Sequence, residues 1–490
     1  MDTLQLIPTL ILTVVVFLAA IARKAALLRS QSRKAIIISD SAMARSMLII
    51  DHADAFSNRP IVPFPEDLDP ERLRGMSHNI NTRALRCNLT AGVLHPTRLG
   101  HLLAPLQREA VEAVVAGLSA GEATVLLRDT LYAAELKLVT RLCFGDDGFC
   151  ERDLRALWDA MREFFDEITV ARRLAASRLA RLRHWRRWRR YAGTFNRLVE
   201  LLLPLIAARR EARSQCGGGG HTYVDSLLDL QVPVVEDHMD DGIDRAEGGD
   251  DDTRRRPLTD NEMVALVWEF LGAGTETTVS CVEWTLAHLV AQPKVQRKLH
   301  REVAGEGVVV SNESLRDLPY LRAVILESLR LHPVVPFIVR RVSAEDAAAA
   351  MGATTEAPPP GPGGGKVVHC TLMADHVSRD RKLWSDPDEF RPERFLAGGE
   401  GQGVGMVPGS KEIRMMPFGA GRRSCPGMGL AMMQVKSFIA ALVREYDWTP
   451  PMMEGGGAAA VDLRELNKFF RVMKTPLRAR ITPRTQLVNT

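Results

Sequence analysis

Residues 417–443 read PFGAGRRSCPGMGLAMMQVKSFIAALV, a glycine-rich loop that leads through Cys425 into an apolar helix. A thiol at that position receives backbone N–H groups and the positive end of a helix dipole, which both favour the thiolate. Arg422 and Arg423 add positive charge beside it. The stretch does not follow the strand–GxGxxG–helix order of a dinucleotide site. A lone thiolate therefore predicts an axial metal ligand better than a redox pair, with a hydrolytic nucleophile as the alternative.

A second motif, YLRAVILESLRL at residues 320–331, follows Pro319 at a predicted first helical position. Glu327 and Arg330 are three residues apart and therefore share one face of this helix. Two interpretations of the pair remain open. An exposed helical ion pair is common, but the Leu, Val and Ile residues around it favour partial burial, where an unpaired charge would be costly.

The longest helix signal begins at a capping box, in which Thr259 and Glu262 satisfy each other's backbone N–H groups. The predicted helix runs to Gln292, because Pro293 stops it, and its length of about 50 Å is enough to cross the whole body. Its middle carries AGTETT at residues 273–278, where Gly and Thr are poor choices for a helix interior. Either two helices pack closely here around a kink, or the Glu and Thr side chains loosen the helix and relay protons.

Together these motifs resemble those of the cytochrome P-450 superfamily. The stretch FGAGRRSCPG at residues 418–427 matches the family's haem-binding signature, F-x-x-G-x-R-x-C-x-G. AGTETT resembles its oxygen-activation motif, A-G-x-[DE]-T-T, and Glu327–Arg330 resembles its E-x-x-R motif. PERF at residues 392–395 is similar to the element that contacts that pair. All four motifs follow the family's order, and the chain resembles most the plant microsomal members, among them the group numbered family 89.

The resemblance implies a mainly α fold with small β-sheets and a single N-terminal transmembrane helix, with haem b (iron protoporphyrin IX) as cofactor. It implies a haem-thiolate monooxygenase that inserts one oxygen atom of O₂ into an apolar small molecule. The electrons are expected to come from NADPH through a membrane-bound NADPH–cytochrome reductase, with cytochrome b5 as a further partner. In such an enzyme haem performs the difficult chemistry, while the protein supplies orientation and electrostatics.

The same resemblance implies roles for individual residues. Cys425 is implied to be the proximal thiolate ligand of the haem iron, which favours O–O cleavage. Glu276 and Thr277 are implied to be the catalytic groups that deliver protons on the distal side. A buried structural network that holds the haem loop is implied for Glu327, Arg330 and Arg394. The implied cofactor-binding residues are Arg86, Arg341, Phe418, Gly421, Arg423, Cys425 and Gly427.

Two departures from the family pattern bear on activity. Thr82 stands where the family usually has the Trp of W-x-x-x-R, which leaves one propionate hydrogen bond without its usual donor. A proline-rich hinge, a first helix and a first strand are expected after Lys34 but are missing there. The alternative function is therefore a truncated, non-catalytic, membrane-anchored relative with impaired haem binding. A haem-thiolate isomerase or dehydratase is a third hypothesis, which the presence of both Glu276 and Thr277 disfavours.

The stretch Thr3–Ala22 carries no charge and is long enough to span about 30 Å of hydrocarbon. Asp2 is the only charged side chain before it, whereas several basic and no acidic residues follow it as far as Lys34. The positive-inside rule therefore predicts a cytosolic body. A buried core helix is the alternative. The predicted domains are a membrane anchor with its basic flank at residues 1–34 and a haem-thiolate catalytic domain at residues 35–490. The resemblance implies a single-pass protein of the endoplasmic reticulum membrane, in contact with membrane lipid.

Composition excludes several other classes of protein. With 46% apolar and 25% charged residues, the chain is neither disordered nor collagen-like. A net charge of +4 does not argue for a nucleic-acid partner. The odd number of cysteines, seven, and the lack of a CxxC pair exclude a zinc ribbon. The basic run Arg172–Arg190, with Trp185 and Trp188, favours a helix on lipid headgroups, with an ordinary solvated face as the alternative. Nucleic-acid binding is a third interpretation, which the membrane anchor and the amphipathic pattern disfavour.

The rest of the body predicts helices with few interruptions between Arg83 and Leu227. AIIIS at residues 35–39 predicts a short buried strand, and Asp40 is expected to cap the helix after it. Three insertions are predicted to be loops, at Cys216–His221, Glu236–Asp252 and Ala347–Gly365. Substrate selectivity is expected to depend on Pro60–Ser77, Phe164–Arg190 and Val267–Gly274.

Overall fold

The computed structural model of the protein describes residues 36–59, 82–119, 124–145, 149–174, 178–215, 222–234, 254–305, 314–351, 367–409, 411–452 and 457–484. Its helices are α1 (Ser41–Leu48), α2 (Thr82–Asn88), α3 (Pro96–Ser119), α4 (Leu127–Phe144), α5 (Glu151–Leu174), α6 (Arg178–Arg183), α7 (Trp185–Gln215), α8 (Tyr223–Leu228), α9 (Asp260–Ala291), α10 (Pro293–Val303), α11 (Pro319–Leu331), α12 (Ala344–Met351), α13 (Ala374–Ser378) and α14 (Met428–Glu445). Its strands are β1 (Ile36–Ile38), β2 (Thr124–Leu126), β3 (Gln231–Pro233), β4 (Arg255–Pro257), β5 (Phe337–Ser343), β6 (Val367–Met373), β7 (Tyr446–Thr449), β8 (Glu465–Asn467), β9 (Arg471–Met473) and β10 (Arg478–Pro483). The prediction of a mainly α protein with small sheets is confirmed.

The long helix α9 runs through the centre of the main hydrophobic core, and most of its side chains are buried. The predicted capping box is present: Glu262 N donates to Thr259 Oγ1 at 3.3 Å, and Thr259 N donates to Glu262 Oε2 at 2.9 Å. Gln292 caps the other end. Helices α4, α7, α11 and α14 pack against α9. The segment AGTETT therefore lies in the middle of the molecule, with helices on several sides.

One three-stranded sheet has the order β1–β6–β5. β5 and β6 pair antiparallel with Phe337 opposite Met373, and β1 joins β6 in parallel with Ile36 opposite Cys370. The predicted strand in AIIIS is thus confirmed as β1. The predicted cap of α1 is confirmed as well, because the Asp40 side chain accepts a hydrogen bond from the backbone of the helix.

A smaller hydrophobic core lies between this sheet and α1. It contains Met47 and Leu48 of α1, Ile338 of β5, and Met416 and Ala420 from the loop that precedes Cys425. The sheet and α1 therefore form the platform on which that loop rests.

The other sheets are small. β2, β10 and β7 form one sheet, while β3–β4 and β8–β9 form two-stranded pairs. The predicted loops Cys216–His221 and Glu236–Asp252 lie outside the described residues. The predicted loop Ala347–Gly365 does lie between two strands, but its first residues, Ala347–Met351, are the end of α12. That part of the prediction was wrong because four consecutive alanines favour a helix.

Within the residues that the structure describes, we find no helix with both the length and the apolar composition needed to cross a membrane. The predicted anchor, Thr3–Ala22, lies outside them, as does the whole of the predicted selectivity segment Pro60–Ser77. Part of the basic run Arg172–Arg190 is described, as α6 and the first turns of α7. There Leu179, Leu182 and Trp185 have exposed side chains.

Candidate active site around Cys425

The loop before Cys425 has a backbone that only glycine can adopt without strain. Gly419 and Gly421 have φ angles of 73° and 67°. A Cβ atom at Gly421 would lie 1.9 Å from the carbonyl oxygen of Leu48 in α1. The backbone N–H of Cys425 donates to Phe418 O at 2.8 Å and closes the loop. The glycines of this motif therefore shape the backbone that presents the thiol, and they allow it to rest directly on α1.

The Cys425 side chain is accessible, yet it is surrounded closely enough that burial raises the pKa of the thiol. We infer from the two observations that the side chain borders an enclosed space. The backbone N–H of Gly427 and the charges of Arg86 and Arg59 act in the opposite direction and favour the thiolate. A metal ion bound to the sulfur would deprotonate it outright.

Several arginines surround the cysteine loop. Arg86 Nη2 donates to Ser424 O at 2.8 Å, and Arg423 Nε donates to Ser57 O at 2.8 Å. Arg59 Nη2 lies 3.5 Å from Arg423 O. Burial lowers the pKa of Arg86, and the charge of Arg59 lowers it further, whereas Cys425 raises it. The site is therefore strongly positive and suits a ligand with negative groups.

The structure separates the two arginines of strand β5. Arg340 is buried, while Arg341, the residue implied by the family pattern, is half-buried on the opposite face of the strand. Burial lowers the pKa of Arg340 to about 9, together with the positive charges of Arg59 and Arg423. Sequence reasoning missed Arg59 and Arg340. The available signal for Arg340 was that two adjacent arginines, Arg340 and Arg341, lie in a predicted strand. Adjacent side chains of a strand point to opposite faces, so only one of the two can face the core.

One strip of α9 is accessible although the helix lies within the core. Ala273 is exposed in the middle of an otherwise buried helix, and Glu269 and Thr277, four residues before and after it, are half-buried. The negative charge of Glu269 acts on Arg86, and so does that of Cys425. Arg86 is therefore close to both Glu269 of the strip and Cys425, so we infer that the strip and the cysteine loop border the same cavity.

Threonine hydroxyls of α9 bond back to carbonyl groups of the same helix beside this strip. Thr277 Oγ1 donates to Ala273 O at 2.6 Å, and Thr278 Oγ1 donates to Gly274 O at 2.8 Å. Such bonds compete with the helix's own hydrogen bonds and bend it. The helix is nevertheless continuous from Asp260 to Ala291. Close packing is present at Gly274, where a Cβ atom would lie 3.1 Å from Val139 Cγ1 of α4, and a proton role for Thr277 stays a prediction.

Glu276 does not point along the same strip as Thr277. Its carboxylate pairs with Arg128 of α4, whose Nη1 also donates to Glu283 Oε2 at 2.7 Å. Burial raises the pKa of Glu276, and the charge of Arg128 opposes that rise. Arg128 is another residue that sequence reasoning missed, since nothing in the local sequence indicates its contact with α9.

Glu327, Arg330 and Arg394 form one buried network. Arg330 Nε donates to Glu327 Oε2 at 2.7 Å, and Arg394 Nε donates to Glu327 Oε1 at 3.1 Å. Arg330 Nη1 also donates to Pro387 O at 2.7 Å. Of the two interpretations of the Glu327–Arg330 pair, burial is therefore the correct one. The network joins α11 to the segment that contains PERF.

An aromatic cluster lies at one end of the open strip. Phe165 of α5 stacks on Trp268 of α9, with ring centroids 5.4 Å apart, and on Phe469 from the β8–β9 turn, at 5.7 Å. The ring of Phe165 lies directly over Gly272, where a Cβ atom would approach its Cζ to 2.9 Å. Three separate elements thus contribute flat apolar surface next to Ala273.

The residues present fit a thiolate-ligated, anionic cofactor. Cys425 offers a single accessible sulfur ligand, and the charges of Arg86 and Arg59 act on it. The Nε atom of Arg340 is buried and lacks a hydrogen-bond partner, as expected of a donor whose acceptor is supplied by a ligand. Within the described residues, no group of three or more His, Cys, Asp or Glu side chains could hold a metal by itself. The single thiolate therefore suits a metal that arrives with most of its own ligands.

Comparisons with known proteins agree with this chemistry. The family model described as Cytochrome P450 matches residues 23–456. Cytochrome P450 89A9 from Arabidopsis thaliana is 31% identical over 483 residues, which cover 92% of this chain and 85% of that protein. Flavonoid 3'-monooxygenase CYP75B137 from Crocosmia x crocosmiiflora is 35% identical over 233 residues, which cover 46% of this chain and 42% of that protein. A zebrafish cytochrome P450 solved with progesterone is 20% identical with a TM-score of 0.66, over 91% of this chain and 93% of that chain, and shows the likeness of the fold.

Proposed function

This chain belongs to the cytochrome P450 family and is a haem-dependent monooxygenase, and from that premise we propose that it inserts one oxygen atom of O₂ into an apolar, aromatic small molecule with electrons from NADPH. The observation that carries the proposal is the accessible side chain of Cys425 at the end of the glycine-rich loop, together with Arg86, on which the charges of both Cys425 and Glu269 of α9 act. Haem b, when bound, supplies the activation of O₂, and a thiolate ligand favours O–O cleavage.

We assign the proximal ligand to Cys425. Gly421 lets the loop rest on Leu48 of α1, Phe418 closes the loop through its carbonyl oxygen, and the backbone N–H of Gly427 favours the thiolate of Cys425. Arg86 and Arg423 are the candidates to pair with the propionates, together with one arginine of β5. For the arginine of β5, the family pattern implies Arg341. We favour Arg340, because its side chain is buried on the face of the strand that turns toward the core.

Proton supply is assigned to Thr277 and Glu276. The hydroxyl of Thr277 donates to Ala273 O at 2.6 Å, and rotation of its side chain would direct that proton into the cavity. Glu276 is the nearby group that can replace the proton, because burial raises its pKa and makes its acid form accessible. The ion pair with Arg128 positions the side chain of Glu276 and opposes the rise of its pKa, so the acid form is reached only when a proton arrives from solvent.

A structural role is assigned to Glu327, Arg330 and Arg394. All three are buried, and the guanidinium of Arg330 reaches backbone carbonyl groups of Ser378 and Pro387 as well as Glu327. The network fixes the segment between β6 and the cysteine loop against α11. We infer that it keeps the loop in the shape that presents Cys425.

An aromatic substrate is proposed from the rings of Phe165, Trp268 and Phe469 beside the open strip of α9. Flat rings of this kind prefer flat ligands, because stacking adds to the burial of apolar area. The name of the flavonoid 3'-monooxygenase relative mentions a substrate class with aromatic rings. Purified protein supplied with reductase, NADPH and a plant metabolite extract would identify the compound that is consumed.

The proposed partners are an NADPH–cytochrome reductase and membrane lipid, with cytochrome b5 as an additional electron donor. The proposed domains, an anchor at residues 1–34 and a catalytic domain at residues 35–490, place the protein in the endoplasmic reticulum membrane with a cytosolic body. The exposed side chains of Leu179, Leu182 and Trp185 lie among arginines, which suits contact with anionic lipid headgroups. Substrate turnover that depends on added reductase would support the electron route.

The decisive experiment is the spectrum of the reduced protein with carbon monoxide. A red-shifted Soret band, typical of thiolate-ligated iron, is expected for the full chain and is expected to disappear in Cys425→Ala. Cys150→Ala is the matched control, because Cys150 is also accessible but its Sγ donates to Asp153 at 2.9 Å, and the variant should keep the band. A well-folded wild-type protein without the band would overturn the proposal and favour the non-catalytic alternative.

A further inference from the structure

The hairpin formed by β8 and β9 carries two phenylalanines on its turn. The ring centroids of Phe469 and Phe470 lie 5.7 and 4.9 Å from that of Phe165, in the aromatic cluster beside α9. Each strand of the hairpin has only three residues, with Glu465 opposite Met473. A two-stranded hairpin is marginally stable on its own. The place of these rings therefore depends on the contacts that hold the base of the hairpin.

Glu465, the first residue of β8, joins the hairpin to the end of α11. Its Oε1 lies 2.7 Å from Nδ1 of His332, the residue that caps the C-terminus of α11. The same oxygen accepts a hydrogen bond from Arg379 Nη2 at 3.2 Å. Arg471 Nε of β9 lies 3.2 Å from the other oxygen, Oε2. One imidazole and two guanidinium groups thus hold this carboxylate.

Two buried histidines form a hydrogen-bonded chain that ends on the same carboxylate. His332 Nε2 lies 2.9 Å from His288 Nε2 of α9. Burial lowers the pKa of both imidazoles, so both rings are neutral. Burial would raise the pKa of Glu465, but the hydrogen bond with His332 and the charge of Arg471 lower it overall, so the carboxylate is ionised. His332 Nδ1–H therefore donates to Glu465, and its Nε2 accepts from His288 Nε2–H.

Aromatic rings fix the orientation of both imidazoles. Trp284 stacks on His332 with ring centroids 3.8 Å apart, and Phe390 stacks on His288 at 4.2 Å. Neither imidazole can turn without giving up both a stacking contact and a hydrogen bond. His332 therefore holds Glu465, and with it β8, in one place.

Two further contacts hold the hairpin without the histidines. Lys468 Nζ in the turn donates to Asp166 Oδ1 at 2.6 Å, but both side chains are exposed, and such a pair contributes little. The backbone N–H of Arg471 donates to Val334 O at 2.8 Å. This backbone bond fixes β9, so the position of β8 and of the turn after it depends on Glu465.

We propose that His332 and Glu465 are positioning residues for the substrate. Their hydrogen bond, oriented by His288, holds the ring of Phe469 where an aromatic ligand stacks on it. The inference rests on the proposed function, in which Phe469 belongs to the cluster that contacts the substrate. The preference for flat ligands then depends on a contact at the base of the hairpin as well as on the rings themselves.

The experiment compares His332→Asn with His332→Gln in the holoenzyme. Both variants remove the ring that stacks on Trp284, but the Asn amide replaces Nδ1 and keeps a donor for Glu465, whereas the Gln amide replaces Nε2 and keeps only the contact with His288. The probes are 1-phenylimidazole and 1-butylimidazole, which bind haem iron through the same nitrogen and differ in a flat or a flexible substituent. The preference for 1-phenylimidazole is the ratio of the two dissociation constants. We expect His332→Gln to lower it about three- to tenfold, the effect of losing one aromatic contact, and His332→Asn to keep it.

Hydrogen exchange measured by mass spectrometry reports on the hairpin directly. We expect the peptide that spans β8 and β9 to exchange on the order of tenfold faster in His332→Gln than in the wild type or His332→Asn, with no change in the peptide that contains α14. Phe469→Leu tests the route of the effect. In that background His332→Gln should cause no further loss of preference, because the ring that it positions is gone.

Other outcomes would overturn the assignment. An equal loss of preference in His332→Asn and His332→Gln would mean that only the stacked ring matters. Equally weaker binding of both probes would mean a general loss of stability. A further loss of preference in the Phe469→Leu background would exclude Phe469 as the route.

Two controls keep the result interpretable. If the His332 variants do not fold, Glu465→Gln, which keeps an acceptor for His332, and Glu465→Leu, which does not, make the same comparison from the hairpin. The carbon monoxide spectrum is recorded for each sample. A missing thiolate band in the wild type refutes the assignment of Cys425, whereas a wild-type band combined with an unchanged probe preference in His332→Gln refutes the assignment of His332 and Glu465 alone.

Discussion

The guanidinium of Arg128 joins two carboxylates of the central helix α9. Its Nη2 donates to Glu276, and its Nη1 donates to Glu283 Oε2 at 2.7 Å. Burial raises the pKa of Glu276, and the charge of Arg128 opposes that rise. Arg128 therefore influences how readily Glu276 gives up a proton, although it lies on α4 and outside every recognised motif.

Arg128→Leu should destabilise the fold, because it leaves two mostly buried carboxylates without their cation. We expect the free energy of unfolding to fall by about 3 kcal/mol near neutral pH. The loss should be smaller at about pH 5: a carboxyl whose pKa is raised in the folded state stabilises at low pH, and this contribution disappears as pH rises through the folded pKa. Denaturant unfolding at the two pH values measures both effects. The double variant with Glu276→Gln should recover part of the loss, and equal losses at both pH values would contradict the explanation.

Thr277→Ala should leave the cofactor in place but uncouple electron use from product formation. Without the hydroxyl that donates to Ala273 O, the cavity loses the proton donor assigned to it. We expect product formation to fall on the order of tenfold or more, with a matching rise in hydrogen peroxide. Thr275→Ala is the matched control, since Thr275 makes the same kind of bond, to Leu271 O at 2.8 Å, but is fully buried. Unchanged coupling in Thr277→Ala would remove the proton role.

Glu327→Ala should be severely destabilising, because it leaves the guanidinium groups of Arg330 and Arg394 buried without their carboxylate. We expect a loss of about 3–5 kcal/mol in the free energy of unfolding, and less haem retained per polypeptide. Glu109→Ala is the control: Glu109 pairs with Lys137 at 3.0 Å on the surface, where an ion pair contributes little. Similar losses in the two variants would show that burial of the network is unimportant.

Gly421→Ala tests the shape of the cysteine loop. Its Cβ atom would lie 1.9 Å from Leu48 O, and its φ of 67° is unfavourable for alanine, so the loop must move away from α1. We expect loss of the thiolate spectrum even where the protein folds. Gly429→Ala, in helix α14, meets nothing within 4 Å and should stabilise the fold by about 0.5–1 kcal/mol. A normal spectrum in Gly421→Ala would refute the requirement for glycine.

Patterns that are local in sequence predicted their structures well. The capping box at Thr259–Glu262 and the proline after Gln292 set the bounds of α9 correctly, because capping and helix termination depend on neighbouring residues. The spacing of Glu327 and Arg330 predicted a shared helix face for the same reason. The thiolate role that the motif around Cys425 predicts stays a prediction: burial raises the pKa of the thiol, and the charges that favour the thiolate are those of Arg86 and Arg59, which are distant in sequence.

Residues that depend on tertiary contacts could not be predicted in this way. Arg59, Arg128 and Arg340 acquire their roles only when segments far apart in the chain meet, as Arg128 and Glu276 do across α4 and α9. The sequence identified the arginine pair of β5, but the face of a strand that turns inward depends on its register against β6. The sequence motif therefore predicts the candidate ligand Cys425, whereas the arginines that act on the site become visible only in the structure.

Phe165→Leu should change ligand selectivity while keeping the fold. The variant removes the stacking of Phe165 on Trp268 and Phe469 but fills most of the same apolar volume. We expect the affinity for a flat aromatic ligand, measured from the shift of the haem spectrum on binding, to fall about tenfold, given that an aromatic pair contributes about 0.5–1.5 kcal/mol. The affinity for an aliphatic ligand of similar size should change little. Phe149→Leu, whose ring packs on Phe144 at 5.1 Å instead of on this cluster, is the control. An equal decrease for both ligands would mean that Phe165 supports the fold around the cavity and does not select the substrate.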